Sequence, residues 1–125
     1  MAIKIEHLLP SPVLQGFWTP PSSITIAGGV ITLTTEMCYL IIDTEGGAAA
    51  DNLDTITMPG VQDGQRILCR SLHDARSPIF TQTDNIDLTF GSISIALNDT
   101  SEWMGFVYNG GTTKWELYTH LSNRS

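Results

Sequence analysis

Turn signals interrupt this chain from end to end, and no stretch between them has the length or periodicity of an ordinary helix. Gly28-Gly29, Gly46-Gly47, Pro59-Gly60, Asp63-Gly64, Asp84-Asn85 and Asn109-Gly110-Gly111 tolerate or demand the backbone angles of tight turns. Between them lie apolar and β-branched runs at 24–26, 30–34, 37–42, 53–56, 65–72, 78–83, 86–90, 93–97, 103–108 and 113–118. The stretch 48–53 offers one helical turn at most. About nine or ten short strands at this spacing predict an all-β domain, an antiparallel β-sandwich of jelly-roll-like or β-barrel-like form. Gly28-Gly29 and the 109–112 loop predict hairpins. Residues 37–42 are apolar at nearly every position, as in a strand buried on both faces. No internal repeat is strong enough to indicate a solenoid.

The first 22 residues follow different rules. Pro10, Pro12, Pro20 and Pro21 fix the backbone and remove amide donors, so this segment should be an extended, weakly paired arm. It is nevertheless rich in large apolar side chains, which a solvated linker would not carry. Leu9, Val13, Leu14, Phe17 and Trp18 are the candidate partner-binding residues. They either lie back on their own domain or dock on another chain, and an extended apolar arm favours the second. The expected organisation is an arm at 1–22, a β-sandwich domain at 23–121 and a frayed polar tail at 122–125.

Charge narrows the partners. Six basic against thirteen acidic residues give a net charge of −7 over 125 residues. Neutralising nucleic-acid phosphates takes clustered Lys and Arg. Arg66, Arg70 and Arg76 are the nearest to a cluster, and Asp63 and Asp74 dilute them, so no nucleic-acid partner is expected. No apolar run approaches the ~20 residues of a membrane span. Pro10 and Pro12 break any apolar signal segment, and synthesis in a cytoplasm is expected with Met1 as the mature start. Only 15% of residues are charged, well under the ~25% of an average domain. Such a surface suits a partner's cover.

Convergent polar groups are scarce. There is no G-x-S-x-G elbow, phosphate loop or H-E-x-x-H helix. His73-Asp74 is a His–carboxylate neighbour pair, and adjacent strand residues point to opposite faces. Asp51/Asp54 and Asp84/Asp87 are spaced for turns as readily as for catalysis or calcium. Cys38 and Cys69 lie in apolar runs, as buried free thiols or as a cross-strand disulfide. Catalytic, metal and cofactor sites are not expected. Trp103, Tyr108 and Trp115 on the last hairpin are candidate sugar-stacking residues, with core packing as the other use of Trp103 and Trp115.

The strand series from Asp51 carries a resemblance. D-N-L-D-T-I (51–56), P-G-V-Q-D-G-Q-R-I-L-C-R (59–70), I-D-L (86–88) and F-V-Y-N-G-G-T-T-K-W-E-L-Y (106–118) stand in an order similar to that of small β-domains in structural proteins of tailed phages. Those domains show an L-x-T-I strand, a strand built on D/E-G-Q, and a closing hairpin with Tyr, Gly and Trp. Cys69 stands where that pattern has a plain aliphatic residue, and D-N-I (84–86) replaces G-N-I. The resemblance covers about the last three-quarters of the chain. It implies a homotrimer. With an apolar arm and no heptad stalk, it implies a capsid decoration (cement) protein on the outer capsid surface of a virion, bound to the major capsid protein. A head-fibre or tail-fibre module recognising a cell-surface sugar is the alternative.

Overall fold

The computed structural model describes residues 20–89 and 91–122. Every regular element among them is a strand, apart from one 3-10 turn at Glu45–Gly47. The strands are β1 (Ser22–Thr25), β2 (Val30–Thr32), β3 (Tyr39–Asp43), β4 (Ala50–Leu53), β5 (Thr55–Thr57), β6 (Arg66–Ser71), β7 (Ser77–Thr81), β8 (Ile86–Asp87), β9 (Ser94–Ala96), β10 (Trp103–Asn109) and β11 (Lys114–Leu121). The all-β expectation therefore stands. Residues 48–53, the one place set aside for a helical turn, carry β4 instead.

The antiparallel expectation does not stand. β1 pairs with β3, β3 with β6, β2 with β5, β4 with β7 and β8 with β11, all in parallel. Only β6–β10, β10–β11 and β7–β9 are antiparallel. The strands fall into a six-stranded sheet in the order β1-β3-β6-β10-β11-β8, a three-stranded sheet β4-β7-β9 and a pair β2-β5. Parallel neighbours require a crossover, usually a helix. Here the crossover between β3 and β6 consists of strands on the other two faces, β4 and β5. The first half of the chain thus winds as a short, solenoid-like coil, and the second half turns back to close it. On the β2-β5 face the third winding continues through side chains: Thr83 Oγ1 donates to the Asp54 carbonyl, and Ile56 N–H donates to Asn85 Oδ1.

The windings have unequal lengths, which explains why no repeat is visible. Ser22 lies opposite Leu40, 18 positions on, whereas Tyr39 lies opposite Leu68, 29 positions on. Gly28-Gly29 does make a two-residue turn: both glycines have positive φ, and Ala27 and Val30 exchange two backbone hydrogen bonds across it. The expected hairpin nevertheless opens at once, because β1 and β2 enter different sheets. The hairpin around 109–112 forms as expected, joining β10 to β11.

Alternation along each strand builds the core. Leu40 and Ile42 of β3, Ile67 and Cys69 of β6, and Met104 and Phe106 of β10 point inward and are buried. Phe80 from β7 stacks on Phe106 with ring centroids 5.2 Å apart. β3 is therefore not buried on both faces as its composition suggested. Tyr39 and Ile41 lie on its outer side and are half-buried, because aromatic and arginine side chains partly cover that surface. The pairing begins at Ser22 and ends at Leu121. The proposed arm residues Leu9, Val13, Leu14, Phe17 and Trp18, and the end of the tail, lie outside the described residues.

Two predictions follow from the coil. Gly28 has open space around its missing Cβ, whereas a Cβ on Gly29 would come within 2.9 Å of Asp54 Oδ2. Gly28→Ala should cost about 1–2 kcal/mol from the left-handed backbone alone. Gly29→Ala should cost up to about 1 kcal/mol more, because the exposed Asp54 carboxylate must turn aside from the new methyl, readable as a lower urea midpoint. Equal costs would remove the contact from the explanation. Second, Cys38 and Cys69 are free and buried, and burial pushes both thiols up from the ordinary 9.0. The native state thus holds these protons more tightly than the unfolded chain does. Stability contributed this way is fully present below about pH 9 and is lost above it, by up to ~1.4 kcal/mol per pH unit for each thiol. Native protein should be inert to Ellman's reagent until denatured.

Candidate functional site

Of the ionisable groups singled out from sequence, Asp51, Asp54, Asp87, His73 and Asp74 are occupied in holding the backbone and neighbouring side chains. Asp51 Oδ2 accepts the Glu45 N–H at 2.8 Å, and Asp54 Oδ1 accepts the Thr81 hydroxyl. Asp87 Oδ1 accepts the Thr89 N–H at 2.9 Å. His73 and Asp74 bond to different segments, Nδ1 to the Ala75 N–H and Oδ1 to the Thr100 N–H. The buried carboxylate Glu102 clasps the chain end: its oxygens accept Asn98 N–H and Ser122 Oγ–H. Among the described residues no three His, Cys, Asp or Glu side chains converge as a metal cluster, and no helix is long and apolar enough to cross a membrane. A depression of about 310 Å³ is lined by Gln82, Asp87, Thr89, Gly91, Ser92 and Ile93. Its polar walls serve its own loop, since Gln82 Oε1 accepts the Leu88 N–H.

The distinctive surface is the outer side of β3, β6, β10 and β11. Strand alternation sends Tyr39 and Ile41, Arg66, Leu68 and Arg70, and Trp103 and Val107 outward. Registers set these in rows: Tyr39 opposite Leu68, Leu68 opposite Gly105, and Gly105 opposite Thr119. Tyr39 and Trp103 lie nearly parallel, with centroids 6.2 Å apart. The Arg70 guanidinium lies over the Trp103 ring at 5.4 Å and donates to the Tyr39 hydroxyl at 2.6 Å and to the Thr100 carbonyl at 3.0 Å. The Arg66 guanidinium lies over the Tyr118 ring at 5.2 Å. The Arg70 guanidinium is thus fixed by hydrogen bonds and a ring face and that of Arg66 by a ring face, a favourable cation–π arrangement. At the margin, Leu72, Tyr118 and Leu121 are exposed by 44%, 43% and 60%, which leaves an apolar-aromatic surface uncovered.

A bulge makes this surface. The β10–β11 register shifts between Gly105 and Phe106, so Tyr118 is the extra residue on β11. Its ring lies against the β10 backbone at Gly105, where a Cβ would come within 2.9 Å of Tyr118 Cζ and 2.6 Å of Thr119 Cγ2. The sequence reading missed Tyr39, Arg66, Arg70 and Tyr118. The available signal was Gly105, since a glycine inside a strand marks a close approach.

The three hairpin aromatics named as sugar-stacking candidates are not brought together. Trp103 is on the outer face. Trp115 is fully buried, and Tyr108 packs on it edge-to-face at 5.2 Å. Trp103 and Tyr108 are an odd number of positions apart on β10 and so take opposite faces, and Trp115 lies opposite Tyr108, which puts these two rings on the other side of the sheet. Core packing, the favoured use of both tryptophans, holds for Trp115 and not for Trp103, which lies on the outer face.

No family model matches this chain, and no curated protein sequence matches it.

Gly105→Ala should displace the Tyr118 ring and lower stability by roughly 1–3 kcal/mol. The accompanying marker is a changed chemical shift for Tyr118 ring protons, which lose their guanidinium neighbour. An unchanged Tyr118 spectrum would mean that the ring does not depend on this glycine.

Proposed function

We propose that this chain is a non-enzymatic structural protein of a tailed-phage virion, a capsid decoration protein that assembles as a homotrimer on the outer capsid surface. The arm reaches from one chain onto another, a neighbouring copy or the major capsid protein. The observation that supports this reading most directly is the uncovered apolar-aromatic face. It lies on a rigid sheet whose strands β6, β10 and β11 are built from the motifs 59–70 and 106–118 that carry the phage resemblance. Covering such a face stabilises an assembly by about 25 cal/mol per Å² of apolar area. The acidic charge suits a place outside the shell, away from packaged nucleic acid.

A second reading, a head-fibre or tail-fibre module that binds a sugar, draws on Trp103 and Tyr39 side by side on the surface. Arg70 occupies one side of the Trp103 ring, and Trp115 and Tyr108 are unavailable for the platform. The decoration role is therefore preferred.

The full chain should run in light scattering at about three times its 13.6 kDa mass and co-sediment with phage shells lacking their decoration protein. A chain that stays monomeric and leaves shells bare would overturn the proposal. Glycan-array binding abolished by Trp103→Ala would transfer the role to the second reading.

A further inference from the structure

We infer that the outer face of β3, β6, β10 and β11 is the seat for the proline-rich arm of a second copy of this chain. This deepens the assembly reading above and rests on it.

Three observations converge. The first is the chemistry of the face. Proline-rich segments dock in grooves lined by aromatic rings, with little ordering cost because their backbone is already extended. Tyr39, Trp103 and Tyr118 supply the rings; Ile41, Leu68 and Val107 supply apolar floor between them. Arg66 and Arg70 already lie over two of the rings, which leaves ring edges and the apolar floor for contact. Such contacts suit Pro, Leu and Val better than a stacked pyranose.

The second is the length and composition of the arm. From Leu8 to Trp18 the sequence is L-L-P-S-P-V-L-Q-G-F-W, without a charge. In an extended proline-type conformation these eleven residues reach roughly 34 Å. The face from β3 to β11 spans three strand spacings, roughly 14–15 Å. The arm can cross it with residues to spare.

The third is where the arm joins. β1 begins at Ser22, whose register row runs through Leu40, Cys69, Met104 and His120. The arm therefore enters at the level of the aromatic face, but at the sheet's edge. Pro20 and Pro21, both exposed, immediately precede β1. Two consecutive prolines hold the backbone extended and disfavour a sharp turn at that point. That restriction favours a neighbour's face over the arm's own sheet as its seat.

The test uses the full chain with Trp18→p-benzoylphenylalanine, a photo-crosslinking side chain, in a mixture of isotopically heavy and light protein. Illumination should give heavy–light crosslinks to peptides spanning 103–119 or 66–72, mapped by mass spectrometry. Adding Tyr118→Glu, a substitution at an exposed position, should cut that yield about tenfold, the loss expected for one interface anchor, with the folded circular-dichroism spectrum retained. Crosslinks confined within one copy, or directed to other surfaces, would overturn the inference. An oligomer that yields no such crosslinks sinks the seat but leaves the assembly reading intact. Crosslinks in a protein that never binds shells would sink the decoration role and leave the seat.

Discussion

Strand β6 is bonded on both edges, and in opposite senses. It runs parallel to β3 and antiparallel to β10. One edge therefore belongs to the coil and the other to the hairpin that closes it. Ile67 and Cys69 face inward between Leu40 on one side and Met104 and Phe106 on the other. Shifting β6 by one residue would reverse every one of these side chains, placing Arg66, Leu68 and Arg70 in the core. The two burial demands meet on this strand, and the rest of the sheet is registered from it.

The same alternation gives an acidic molecule a localised cationic-aromatic surface. Of the described cations, Arg66 and Arg70 lie over rings on the outer face. Arg76 pairs with Asp43 at 3.1 Å where that face ends. That ion pair is partly exposed, so it contributes at most about 1 kcal/mol. Guanidiniums held against rings keep charge on a surface otherwise built of rings and apolar side chains.

The strands were legible because their signals are local. Gly28-Gly29 marks a turn whoever its strands pair with, and Asn109-Gly110-Gly111 marks a hairpin whose two arms are neighbours in sequence. Parallel pairing was not legible, because its partners are chosen at a distance. Nothing near Tyr39 announces Leu68, and windings of 18 and 29 residues hide the recurrence that would have suggested a coil. The outer face was half legible. Trp103 was visible as a surface candidate, but its companions come from β3, β6 and the bulge at Tyr118. Trp115 stood both as a core residue and as a sugar contact, because the identity of a ring says nothing about which side of a sheet it takes. Gly105 was the overlooked clue.

The order of the large sheet also has a meaning in time. Read from one edge, β1, β3, β6, β10 and β11 appear in the order in which a ribosome releases them. Each of these strands can add to an edge already in place, so the nascent chain grows its sheet in one direction without waiting for a distant partner. β8 is the exception: it emerges before β10 and β11 but pairs with β11. Ile86 and Asp87 must therefore wait for Trp115 and Glu116, so the segment between them has to emerge before this edge of the sheet can form.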